Sequence, residues 1–179
     1  MDIHNFGRQY KSAMERLENG SLSLRNKELI RKFVNDLSFE NLGTARLSKY
    51  AYKMQLIAKQ FAKDLDAVTV DDIKQVVSQI QQRTDYSAWT RKDYKGIIKR
   101  FYKWQTQTTG RNKFPPLVDW INTTMRRCDK KLVQPSELHQ ENDIGILLNA
   151  ADNSRDRAMV AMLWESGARI GEIGSKQQW

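Results

Sequence analysis

Lys92, Lys95, Lys99 and Lys103 recur every three or four residues. On an α-helix that spacing gathers them within an arc of about 80° and spreads their ammonium groups along about 16 Å. Such a row can follow the phosphates at the edge of a B-DNA groove, and Arg91 stands beside it. A weaker row, Arg46, Lys49 and Lys53, shares one face of an earlier helical segment. Arg169 offers a different chemistry. Gly167 can end a helix and turn the chain sharply, which sets Arg169 at the start of the next turn. A guanidinium there presents a rigid fork suited to two phosphate oxygens at once, and Glu172 follows three residues on. A lysine-rich outer face also serves simply to keep a helix solvated. What weighs towards binding is that two such stripes fall in one strongly basic part of the chain.

That basic part is well bounded. The net charge of +9 divides as +4 over residues 1–66, zero over 67–83, +8 over 84–131 and −3 over 132–179. This asymmetry points to a polyanion partner for the N-terminal part. Cys128 is the only cysteine, and His4 and His139 are too far apart for paired metal ligation. The expectation is therefore a protein without metal, cofactor or intramolecular disulfide. The longest apolar run, 158–164, is far shorter than the roughly 20 residues of a membrane span. The first residues also lack the basic-then-apolar pattern of a signal peptide. The chain is expected to be intracellular and cytoplasmic, on DNA and not in a membrane.

The elements that must hold these residues read as helices. Phe6, Tyr10, Met14 and Leu17 lie on one face of a helix that stops near Gly20. Ile30, Phe33, Val34 and Leu37 form the stripe of a second helix over about 26–41. Gly43 and Thr44 make a stop and a fresh cap before a third, over about 45–63, with Leu47, Tyr50, Met54, Ile57, Ala58 and Phe61 inward. Thr69 and Asp72 have capping-box spacing and open a fourth through Ile73, Val76, Val77 and Ile80.

Ser87 or Thr90 starts the fifth helix, which runs to about Thr106; Phe101 and Trp104 fall at packing positions, not as stacking platforms. A short helix begins near Leu117, 129–135 reads as a linker, and 137–151 and 155–166 again carry helical periodicity. No segment alternates with period two. The fold class is mainly α.

The string from Arg155 to Ile173 contains an apolar helix, the turn Ser166-Gly167, a small residue, Arg169 and then Glu172. It resembles the first conserved box of tyrosine recombinases, the phage-integrase family. The stretches Asp85-Tyr86-Ser87-Ala88-Trp89-Thr90, Asp93-Tyr94-Lys95, Phe101-Tyr102-Lys103-Trp104 and Trp120-Ile121-Asn122-Thr123-Thr124 are similar to the core-binding domain of archaeal-type integrases. The resemblance covers about residues 25–175, and it implies a SAM-like helical core-binding domain that grips double-stranded DNA. It also implies that Arg169 contacts the scissile phosphate and stabilises the charge that builds there, with Glu172 in support.

The family's remaining boxes are a hairpin lysine, His-x-x-Arg, a further His or Trp and the nucleophilic tyrosine. All lie many tens of residues after the first box, beyond the last residue here. Tyr86, Tyr94 and Tyr102 lie upstream and are poor nucleophiles. Lys176 also stands where the family carries an apolar residue.

The expectation is a helical extension over 1–22, a DNA-binding core domain over 23–131, and a linker with a two-helix start of a catalytic domain over 132–179. Such a chain takes part in DNA integration and recombination but is not an enzyme by itself. Its DNA contacts would come from Arg46, Lys49, Lys53, Arg91, Lys92, Lys95, Lys99 and Lys103. Two rivals remain. One is an enzyme completed in trans by other recombinase protomers or a separate C-terminal half. The other is a helical interaction module or decoy using an apolar surface around Met159, Met162 and Leu163.

Overall fold

A computed structural model of the chain describes residues 4–129 and 134–174. The middle of the expected linker, 130–133, and Lys176 lie outside the described residues. The chain divides into two compact units, one of residues 6–130 and one of residues 131–179 with 1–5. Regular structure among the described residues is entirely helical, and no helix is long and apolar enough to cross a membrane.

The larger unit holds six helices: α1 Phe6–Asn19, α2 Leu24–Ser38, α3 Thr44–Ala58, α4 Val70–Gln82, α5 Ala88–Gln105 and α6 Pro116–Asp119. Their starts follow local chemistry. The Ser23 hydroxyl accepts the Asn26 N–H at 3.1 Å to cap α2, and Ser87 caps α5 through the Thr90 N–H. At α4 both bonds of the capping box form, Thr69 N–H to Asp72 Oδ2 at 2.9 Å and Asp72 N–H to Thr69 Oγ1 at 3.4 Å. α1 stops where the sequence turns to Gly20. A Cβ there would come within 2.7 Å of the Arg16 carbonyl oxygen, a contact no side-chain carbon tolerates.

One apolar core joins these helices. Leu17, Ile30, Phe33, Ala51, Ile73, Ile98 and Phe101 are fully enclosed in it. Phe33 is its hub, with the rings of Phe101 and Trp104 both at 5.2 Å and Tyr50 at 5.7 Å. Burial of a ring of this size contributes on the order of 2–3 kcal/mol. Among the buried polar groups Gln55 and Asn26 are satisfied, whereas the Tyr102 hydroxyl and Gln105 Oε1 find no hydrogen-bond partner among the described residues. Gln55 Nε2 donates to the Ala13 carbonyl at 2.8 Å and ties α3 to α1. The Asn26 carboxamide oxygen accepts the Leu65 N–H at 2.7 Å and fixes the loop after α3.

The boundaries differ from the sequence reading at several points. The first helix belongs to this unit and is no separate extension over 1–22, because Ala13 and Leu17 are buried against α3. α2 starts two residues earlier than expected, at its Ser23 cap, and ends at Ser38; Asn41 then adopts a left-handed φ of 58°. α3 ends at Ala58 instead of near 63, and Phe61 packs half-buried from the turn that follows.

The second unit contains α7 Glu141–Ala150, α8 Ser154–Ser166 and α9 Ile170–Gly174, one helix more than the two expected. α7 opens at Gln140, whose N–H donates to the Asp143 carboxylate at 2.8 Å, and residues 135–137 form only a 3-10 turn. α8 is capped by the Asn153 side chain. It ends at Gly167, which is left-handed at φ 61° and donates to the Leu163 carbonyl at 3.1 Å. Among the described residues of this unit Ile144 alone is buried, while Ile146, Leu147, Met162, Trp164 and Ile170 are exposed.

Candidate nucleic-acid interface

α5 is the central helix of the larger unit and packs against α2, α3, α4 and α6. Where it crosses α3, the two helices open a groove of about 710 Å³. α3 contributes Lys49 and Lys53 to its walls, and α5 contributes Lys92, Lys99, Arg100 and Lys103. Arg111 and Phe114 close it from the segment after α5. Among the described residues Asp93 is the only carboxylate in the lining. The two lysine rows of the sequence are thus facing walls of one groove, carrying seven cations against one anion.

The cations are held to different degrees. Lys49 and Lys53 both pair with the Asp93 carboxylate, and the Lys53 ammonium also sits 4.6 Å from the centre of the Tyr94 ring. Burial alone would raise the Asp93 pKa, but hydrogen bonds from Lys49 and Lys53 and their charges outweigh it and hold the group below the ordinary carboxylate value. Lys99 donates to the Ile121 carbonyl at 3.0 Å and lies 4.0 Å from the Phe114 ring centre. Lys103 bonds to the carbonyls of Gly110 and Arg111 and faces the same ring at 5.3 Å. Arg100 pairs with Glu40. Lys92 lies 5.1 Å over the Trp89 ring, which is itself 54% exposed at the groove.

Three expected contacts lie elsewhere. Arg46 is exposed on α3 and does not line the groove. Arg91 is half-buried and tied to the main chain, donating from Nε to the Tyr86 carbonyl at 3.1 Å and from Nη1 to the Gln81 carbonyl at 3.3 Å. Lys95 departs most from the sequence reading. It was expected on a solvent-facing stripe, yet it is only 9% exposed, because residues 124–129 run past that side of α5. Burial first, and then the charge of Arg91, lower its pKa.

Sequence reasoning missed Trp89, Asp93, Arg100, Arg111 and Phe114 in this groove. Trp89 carried a readable signal, since it stands one turn before Lys92 on the same face. Phe114 carried none, because a loop and not a helical repeat brings it under Lys99 and Lys103.

In the second unit the Arg169 side chain is exposed. Its backbone N–H donates to Glu172 Oε2 at 2.8 Å, and its carbonyl accepts the Glu172 N–H at 2.8 Å. Glu172 therefore caps α9 through the main chain of Arg169. Comparison with known proteins gives no significant match: no family model, curated protein or solved structure matches the chain.

Proposed function

We propose that residues 6–130 bind double-stranded DNA through the groove between α3 and α5, as the N-terminal, DNA-gripping part of a site-specific recombinase of the tyrosine class. The observation that carries this reading is the gathering of seven cations and a single carboxylate in one groove. Ammonium and guanidinium groups along such walls neutralise backbone phosphates and release their counterions, which gives affinity with little base readout. Lys92 and Arg111 are the cations best suited to first contact, since neither side chain makes a hydrogen bond or ion pair with another described residue. Lys99 and Lys103 are pre-positioned by carbonyls and by Phe114, which lowers the cost of ordering them on a phosphate.

The recombinase assignment, with its SAM-like core-binding domain, rests on the sequence resemblance. In that setting Arg169 takes the scissile phosphate and Glu172 holds the turn that presents it, while strand cutting needs boxes and a tyrosine outside this sequence. The chain then acts on DNA inside the cell, alongside other recombinase protomers or a separate C-terminal half.

The test is fluorescence anisotropy on a labelled duplex of about 30 base pairs, titrated with salt. Four to seven phosphate contacts give a log–log slope of about −4 to −6. Lys92→Gln and Arg111→Gln should each flatten it by about 1. No binding at low salt would overturn the reading.

A second reading has its own observation. Ile146, Leu147, Met162, Trp164 and Ile170 leave an apolar surface on the second unit, as a helical interaction module that assembles with a full-length recombinase would need. That module predicts association with such a protein and little DNA affinity.

A further inference from the structure

On the flank of α5 away from Asp93 lies a second, smaller cavity of about 370 Å³. Arg91, Lys92 and Lys95 line it from α5, and Thr124, Arg126 and Asp129 from the segment that follows α6. Lys95 is the unusual member. It is nine-tenths buried, and its ammonium makes no hydrogen bond or ion pair with any other described residue. Arg91 adds a second positive charge to the same wall, with its guanidinium braced by the Tyr86 and Gln81 carbonyls. Four cations thus converge on a space with one carboxylate.

An ammonium on so deeply buried a side chain, with no counter-ion, is held at a cost in desolvation. Its lowered pKa reflects that cost, with burial as the main cause and Arg91 as the second. An anion seated between Lys95, Arg91 and Arg126 would remove it. We infer that this pocket binds a single phosphate group, with Lys95 at its base, Arg91 as a fixed fork on one wall and Arg126 at the rim.

The shape favours phosphate over a carboxylate. Donors come from a helix wall and from the facing segment, so they converge from several directions, as the oxygens of a tetrahedral anion require. Thr124 adds a hydroxyl to the lining. The inference is independent of DNA binding in the α3–α5 groove, although Lys92 lines both spaces.

The probe is inorganic phosphate, titrated into the full chain at constant ionic strength with chloride as the balancing anion. Calorimetry and the backbone amide shifts of residues 88–95 and 124–129 report on binding. Saturable uptake of one phosphate per chain is expected, weakened at least about tenfold by Lys95→Met and by Arg126→Gln. Arg126 is exposed, so its variant keeps the test intact if loss of Lys95 disturbs folding. Arg111→Gln, in the other groove, should leave phosphate uptake unchanged.

Absence of saturable binding to the wild-type chain, or binding untouched by both variants, would overturn the proposal. Adding a duplex distinguishes the sources. If duplex displaces inorganic phosphate, the pocket takes a backbone phosphate; if both bind together, it takes a free one. Phosphate binding in a chain that ignores duplex would sink the DNA reading and leave this pocket standing.

Discussion

The Asp93 carboxylate on α5 is shared by Lys49 and Lys53, which stand one helical turn apart on α3. It is the one negative charge in a groove of positive ones, and it holds two of them by direct pairing. A phosphate entering the groove must compete with it. Asp93→Asn should therefore tighten duplex binding by about tenfold, the effect of removing one like charge at close range. The salt slope should steepen by about 1 to 2 as both lysines become available. Anisotropy on the variant, with helical content checked by circular dichroism, tests this. Unchanged or weaker binding by a folded variant would refute it.

Trp104 Nε1 donates to Asp36 Oδ2 at 2.8 Å, joining α5 to α2 beside the Phe33 ring. Trp104→Phe keeps a ring in the core but removes the donor. The expected cost is about 1.5–3 kcal/mol, the range for a hydrogen bond to a charged group. It would appear as a lower urea midpoint at unchanged slope. Asp36→Asn retains an acceptor and should cost less.

Acid should weaken the start of α4. The hydrogen bond from Lys63 comes first, then those from the Thr69 N–H and hydroxyl, and together they hold the Asp72 carboxyl at about 2 against an ordinary 3.8. A carboxyl depressed on folding adds stability that is fully present above the unfolded value and is lost as pH falls through the folded one. The window therefore runs from about pH 4 down to about pH 2. Denaturation midpoints across it should fall less steeply for Asp72→Asn than for the natural chain. Parallel curves would show that other carboxylates dominate.

Gly167 holds a left-handed φ of 61° in open space, where an added Cβ meets nothing within 4 Å. The penalty for Gly167→Ala is therefore conformational, about 1–2 kcal/mol for a left-handed L-residue. Amide hydrogen exchange should report it as loss of protection at the end of α8 and across α9, with α1–α6 unaffected.

The parts of this fold legible in the sequence are those governed by neighbours in the chain. Thr69 with Asp72, Ser87 before α5, and Gly167 after α8 all act within a turn of themselves, and their types announce them. The lysines of α5 show where such reasoning stops. A helical wheel gives the direction of Lys95 correctly relative to Tyr94 and Ile98, but it assumes that the side opposite the apolar stripe meets water. α5 is covered on that side by residues some thirty positions later, so Lys95 is buried and Lys99 is bound to the Ile121 carbonyl. The groove was half legible for the same reason. Each lysine row could be read, but that the rows face one another depends on how α3 crosses α5.

The bond from Gln55 to the Ala13 carbonyl has a consequence for how the molecule is made. α1 packs on α3, and its lock lies 42 residues further along the chain. During synthesis α1 is complete well before the segment that covers it exists. At the usual elongation rates of about 5–20 residues per second, its apolar face waits roughly 2–8 s for a partner. Over that interval Phe6, Tyr10, Met14 and Leu17 form an unshielded stripe on a nascent chain. It is an apolar segment that a ribosome-associated chaperone would bind.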